Sequence, residues 1–142
     1  MDITGRTALV TGANRGLGRQ LAAQLRDRGA RVYAAARDPR AVDLAGVTPI
    51  ALDITDPASV AAAARAASGV AILVNNAGSS TGSSLLTGDL AAIRLEMDTH
   101  FFGTLAVTRA FASSSSRPPA RRPRSRSARD SRRPRRARPR AG

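Results

Sequence analysis

Thr11-Gly12-Ala13-Asn14-Arg15-Gly16-Leu17-Gly18 is the stretch whose reading decides the fold. Before it runs Thr7-Ala8-Leu9-Val10, a short apolar run of the kind a buried parallel strand shows. After it runs Gln20 to Gly29, with Leu21, Ala22 and Leu25 on one helical face and Gly29 where a helix would stop. Strand, glycine-rich turn and helix make the geometry that cradles a pyrophosphate. The glycines let the backbone turn tightly and approach a ligand, and the helix N-terminus offers open N–H groups and a partial positive charge. A glycine-rich turn alone also fits an ordinary strand-to-helix loop. With the strand and helix in place, dinucleotide binding is the favoured expectation.

The spacing is T-G-x-x-x-G-x-G rather than G-x-G-x-x-G, and here the chain resembles the short-chain dehydrogenase/reductase family. Three further segments agree with the resemblance: Leu52-Asp53-Ile54, Val74-Asn75-Asn76-Ala77-Gly78 and Phe101-Phe102-Gly103-Thr104-Leu105. It covers about residues 3 to 112. It implies a nicotinamide dinucleotide held by Gly12, Ala13, Asn14, Arg15, Gly16, Leu17 and Gly18 in the turn, with Asp53 and Ile54 at the adenine. Asn76, Ala77 and Gly78 would end the fourth strand and hold the central sheet beside the cofactor.

The rest of the chain follows a βαβ rhythm. Strands are expected near Thr7–Thr11, Arg31–Ala36, Thr48–Leu52 and Ala71–Val74, and helices near Gly16–Arg28 and from Pro57 through Ala67. Ser79 to Gly88 is polar and loop-like. A long helix follows, with Leu90, Ile93, Met97, Phe101, Leu105 and Thr108 spaced on one face. Strands separated by helices imply a doubly wound parallel sheet with right-handed crossovers. The order 3-2-1-4 would put the cofactor at the carboxyl ends, over strands one and four.

Charge argues the choice of cofactor. An acid at the end of strand two usually grips the ribose 2′-hydroxyl of NAD, whereas an arginine there suits the 2′-phosphate of NADP. Strand two ends in Ala36, Arg37 follows, and Arg15 lies inside the glycine turn, so NADP(H) is favoured over NAD(H). Asp38 complicates this, because it could neutralise Arg37 or contact the ribose itself.

No catalytic residue can be carried over. In the family a tyrosine moves the proton and a lysine four residues later lowers its pKa, since an unperturbed phenol near pKa 10 is a poor base. This chain has no lysine, and its single tyrosine, Tyr33, falls in strand two as a packing residue. His100 stands where the family's long helix carries an asparagine; the reading here is a helix histidine with a local hydrogen bond, outside the site.

The chain then changes character. Residues 117 to 142 hold 12 of the 23 basic residues, five prolines and one acid, a net of +11 out of the whole chain's +13. That composition predicts a tail, from about residue 113, without ordered structure. An arginine- and alanine-rich chain without lysine fits a very GC-rich gene. A reading-frame slip or gene decay near residue 113 is therefore one expectation, with the family's catalytic half lost and the last strand and long helix left uncovered. The absence of cysteine excludes disulfides and thiolate metal sites. No stretch is apolar enough for a membrane span, no signal peptide is evident before the first strand, and the cytoplasm is the default. Three functions compete: an oxidoreductase of the family, acting on alcohols or ketones but inactive in this form; a module that only binds the dinucleotide; and, from another class, non-specific polyanion or nucleic-acid binding through the tail.

Overall fold

Side chains alternate along a strand, so Thr7–Thr11 (β1) and Arg31–Ala36 (β2) send Ala8, Val10, Val32 and Ala34 to one face of a sheet and Leu9 and Ala35 to the other. All five residues of β1 are buried, as the centre of a parallel sheet covered on both faces requires. The computed structural model describes residues 2–115. Around β1 and β2 it adds β3 (Thr48–Ala51) and β4 (Val70–Val74), in the parallel order β3-β2-β1-β4. The expected topology is thus the observed one, and the expected strand ends fall within a residue of it.

Helix α1 (Gly16–Asp27) covers the face formed by Ala8, Val10, Val32 and Ala34. Small side chains, with Ala22 from the helix itself, let it lie close. The opposite face packs Leu9, Ala35, Leu52 and Val70 against Val60 and Ala63 of α2 (Pro57–Ala66) and against Val107 and Phe111. These last two belong to α4 (Thr104–Ser115), the end of a long helix that begins as α3 (Leu90–Met97). Tyr33 packs on this same cluster, in the packing role expected of it.

The long helix differs from expectation in two respects. It runs on to Ser115, three residues past the boundary expected at 112, and between α3 and α4 it widens into a π turn over Asp98–Gly103. The buried positions are Thr99, Gly103, Val107 and Phe111, while Leu90, Met97, Phe101 and Leu105 of the apolar stripe face outward. The arginine- and proline-rich segment from residue 117 lies outside the described residues. No helix among the described residues is long and apolar enough to cross a membrane.

Candidate functional site

The chain runs β1 to β2 to β3 on one side of the sheet and then returns to place β4 on the other side of β1. At such a reversal the loops leaving the carboxyl ends of neighbouring strands diverge and leave a crevice. A cleft of about 640 Å³ opens there. Gly12, Asn14, Arg15, Gly16, Leu17 and Gly18 line one side. Arg37 lies at the β2 end, Asp53 and Ile54 follow β3, and Asn76, Ala77 and Gly78 follow β4. Of the residues expected at the site, only Ala13 does not line the cleft. It is fully buried beneath it, its N–H donating to the Ala35 carbonyl at 2.9 Å.

The backbone explains why the turn is built of glycine. Gly12 and Gly16 have φ of 65° and 55°, in the left-handed region where a Cβ is costly. A Cβ on Gly18 would fall 2.3 Å from the Gly12 carbonyl oxygen and 2.4 Å from Asn76 Nδ2, so the turn could not close over a larger residue. A Cβ on Gly16 would meet nothing within 4 Å, so this side of the turn faces open space. Helix α1 starts here without a side-chain cap, whereas α2 and α3 are capped by the carboxylates of Asp56 and Asp89. The first-turn N–H groups of α1 therefore point into the cleft's margin unsatisfied by a capping side chain, a donor set suited to an anion.

Thr11, which sequence reasoning left out of the site, joins the two sides. Its Oγ1 accepts from the N–H groups of Asn76 and Ala77, both at 2.9 Å, and donates to the Val74 carbonyl at 3.4 Å. Asn76 returns its side-chain amide to the Thr11 carbonyl at 3.0 Å. The Asn-Asn-Ala-Gly segment thereby holds the end of β4 to the end of β1.

Asp38 pairs with Arg40 rather than with its neighbour Arg37. Asp38 caps the short turn Pro39–Ala41, accepts the Arg40 N–H, and receives the Arg40 guanidinium on both carboxylate oxygens at 3.0 and 3.1 Å. These Arg40 hydrogen bonds hold the Asp38 carboxyl below its ordinary pKa. Asp53 accepts the Thr55 hydroxyl at 2.7 Å and the Thr55 N–H at 2.9 Å, both on Oδ1. Those bonds, with a smaller contribution from the Arg37 charge, lower its pKa too. Oδ2 of Asp53 has no hydrogen-bond partner among the described residues.

Other cleft residues that sequence reasoning missed are Ala36, Ala41, Leu52, Thr55, Ser79, Leu95 and Thr99. Leu95 and Thr99 bring the long helix to the edge of the cleft. His100 lies outside the cleft lining, but its hydrogen bond is not local: Nε2 stands 2.6 Å from the carbonyl oxygen of Ser79, 21 residues earlier. No group of three or more metal-ligating side chains occurs among the described residues.

A parallel sheet covered on both faces, with its cleft at the strand reversal and a glycine turn at an uncapped helix end, defines a Rossmann-type fold. The family profile of short chain dehydrogenases matches residues 6–119, and the chain belongs to that family. A short-chain dehydrogenase from Burkholderia cenocepacia, solved in complex with NADP, superposes with a TM-score of 0.76 at 42% identity, over 80% of this chain and 50% of that one. A short-chain dehydrogenase/reductase of Pestalotiopsis microspora is 38% identical over 110 residues, 75% of this chain and 41% of its own. D-erythrulose reductase of Gallus gallus is 36% identical over 119 residues, 79% of this chain and 48% of its own. The chain thus spans about half the length, or less, of these relatives.

Proposed function

We propose that the cleft binds a nicotinamide dinucleotide, with NADP(H) preferred, as the cofactor-binding part of an oxidoreductase that acts on alcohols or ketones. The observation that carries this is the uncapped N-terminus of α1 beneath a turn that only glycine can form. The pyrophosphate would lie on that turn, over Gly12 to Gly18. Asp53 Oδ2 and the Ile54 backbone would meet the adenine, while Asn76, Ala77 and Gly78 would border the nicotinamide end. When bound, the nicotinamide supplies a donor or acceptor of hydride. The preference for a 2′-phosphate follows from partner choice. Arg37 and Asp38 both line the cleft, and the Asp38 carboxylate is engaged by Arg40 rather than by Arg37, which supports leaving Arg37 to a 2′-phosphate. The solved Burkholderia relative, an NADP complex, supports the same direction.

The 142 residues contain no lysine, and their single tyrosine is Tyr33, packed on the core. The proposal for them is therefore binding without turnover. Titrating the chain with NADPH and NADH, following nucleotide fluorescence, tests it. Charge-assisted contacts to a phosphate contribute about 1.5–3 kcal/mol, so NADPH should bind roughly ten- to a hundredfold more tightly. Arg37→Ala should erase most of that ratio. Arg40→Ala, which releases Asp38, should shrink it as well. Equal affinity in the unmutated chain would refute the preference, and no binding of either nucleotide would refute the cofactor reading.

A further inference from the structure

Two side chains one turn apart on the long helix reach back to the same loop. Glu96 Oε1 accepts the N–H of Thr81 at 2.6 Å and its hydroxyl at 2.7 Å. Those two bonds, Thr81 N–H first, hold the Glu96 carboxyl below its ordinary pKa, and the nearby His100 adds to the effect. His100 Nε2 lies 2.6 Å from the Ser79 carbonyl oxygen and 3.4 Å from the Ser79 nitrogen. A carbonyl oxygen only accepts, so the short contact requires the proton on Nε2 and makes His100 the donor. The imidazole edge also rests on Gly78: a Cβ there would fall 2.7 Å from His100 Cε1. Gly78 has no positive φ, so its glycine is needed for the ring rather than for the backbone.

The helix is shaped to allow this. The π turn Asp98–Gly103 inserts a residue into the helical repeat, a distortion frequent at functional sites. Within it Thr99 and Gly103 are buried, Gly103 against Ile54, while His100 reaches Gly78 and Ser79. Gly78 and Ser79 line the cleft, and beyond them the chain from Ser79 to Asp89 has no helix or strand of its own. Its first residues are thus placed by Glu96 and His100.

We infer that Glu96 and His100 are positioning residues, a two-point latch that fixes the Gly78–Thr81 backbone at the β4 lip of the cleft and so sets the affinity for the dinucleotide. The inference rests on the dinucleotide reading, but the latch itself can be read in the cofactor-free chain. His100→Gln keeps an amide donor near the place of Nε2, whereas His100→Phe keeps a ring without a donor. Glu96→Gln keeps an acceptor oxygen, whereas Glu96→Ala does not. The amide protection factor at Thr81, the N–H that Glu96 holds, measured by NMR hydrogen exchange, should fall roughly three- to tenfold in Glu96→Ala, the worth of one hydrogen bond, and in His100→Phe as well, because a freed Ser79 carbonyl loosens the same stretch of backbone. The two Gln variants should stay within about twofold of the unmutated chain. The Kd for NADPH should rise by a comparable factor in the first pair and recover in the second. Unchanged protection in His100→Phe and Glu96→Ala would overturn the latch, as would equal losses in His100→Gln and His100→Phe, which would mean that packing alone is at work. Loosened protection with an unchanged Kd would overturn its link to the cofactor. An unmutated chain that binds neither nucleotide would overturn the cofactor reading instead, and the protection factors would still decide the latch.

Discussion

Asp38 and Asp53 each follow a strand on the same side of the cleft, and their neighbours give them different work. Arg40 occupies both oxygens of Asp38, while Thr55 occupies only one oxygen of Asp53. The sequence displays both acids and both arginines, yet it does not say which arginine Asp38 selects. That choice is made by the turn Pro39–Ala41, which brings the Arg40 N–H and guanidinium over the carboxylate together. Thr11 escaped notice for a similar reason, because a hydroxyl's partners depend on strands that meet only in the fold. The pH response belongs at this scale. Asp2, Asp38, Asp53 and Glu96 all titrate lower in the folded chain than carboxyls ordinarily do. The folded state thus binds fewer protons than the unfolded state in the acid range. Stability should be full above about pH 5 and decline as pH falls through the folded values. Urea midpoints recorded from about pH 7 to about pH 3 should show that decline, and Asp53→Asn should make it shallower. An identical slope in the variant would refute the role assigned to Thr55.

Elements were legible where a single period governs them. The buried run of β1, the glycine turn and the proline-led start of α2 each carry their own signal, and the sheet order follows from their alternation. The long helix was legible as a helix but not in its orientation. The spacing of Leu90, Ile93, Met97, Phe101 and Leu105 marks an apolar stripe, but Leu90, Met97, Phe101 and Leu105 face outward on both sides of the π turn, and Thr99, Gly103, Val107 and Phe111 point inward instead. Apolar character cannot reveal this, because both faces of α4 carry it. Substitution does. Phe111 is 2% exposed, and Phe111→Ala should cost about 3–5 kcal/mol. Phe101 is 56% exposed and meets Phe102 edge-on at 5.1 Å, so Phe101→Ser should change stability by no more than about 1 kcal/mol. Chemical denaturation of the two variants measures the difference, and a reversed order would mean that the opposite face is the buried one.

At the scale of the whole molecule, charge is unevenly divided along the sequence. Of the net +13, residues 117 to 142 supply +11, so the strongly basic character belongs to a segment outside the described residues. Twelve arginines there, with no aromatic residue for base stacking, should bind nucleic acid without regard to base sequence. Binding to duplex DNA, followed by fluorescence anisotropy, should weaken by about 10³-fold between about 50 and about 200 mM salt if six or more phosphates are contacted. Deleting residues 117 to 142 should abolish it while leaving NADPH affinity unchanged. Salt-insensitive binding, or binding that survives the deletion, would contradict the charge argument. The Thr11 hydroxyl carries a different whole-chain consequence. It ties the glycine turn to residues 65 and 66 positions later, so the two walls of the cleft share one oxygen atom across most of the folded chain. During synthesis β1, α1 and β2 can assemble with the turn already shaped, but no second wall exists until Ala77 has emerged and docked. Closing so long a loop is among the slow steps of folding. The dinucleotide site proposed above would therefore be complete only after that closure, and a nascent chain stalled before it would be partly folded yet lack the site's second wall.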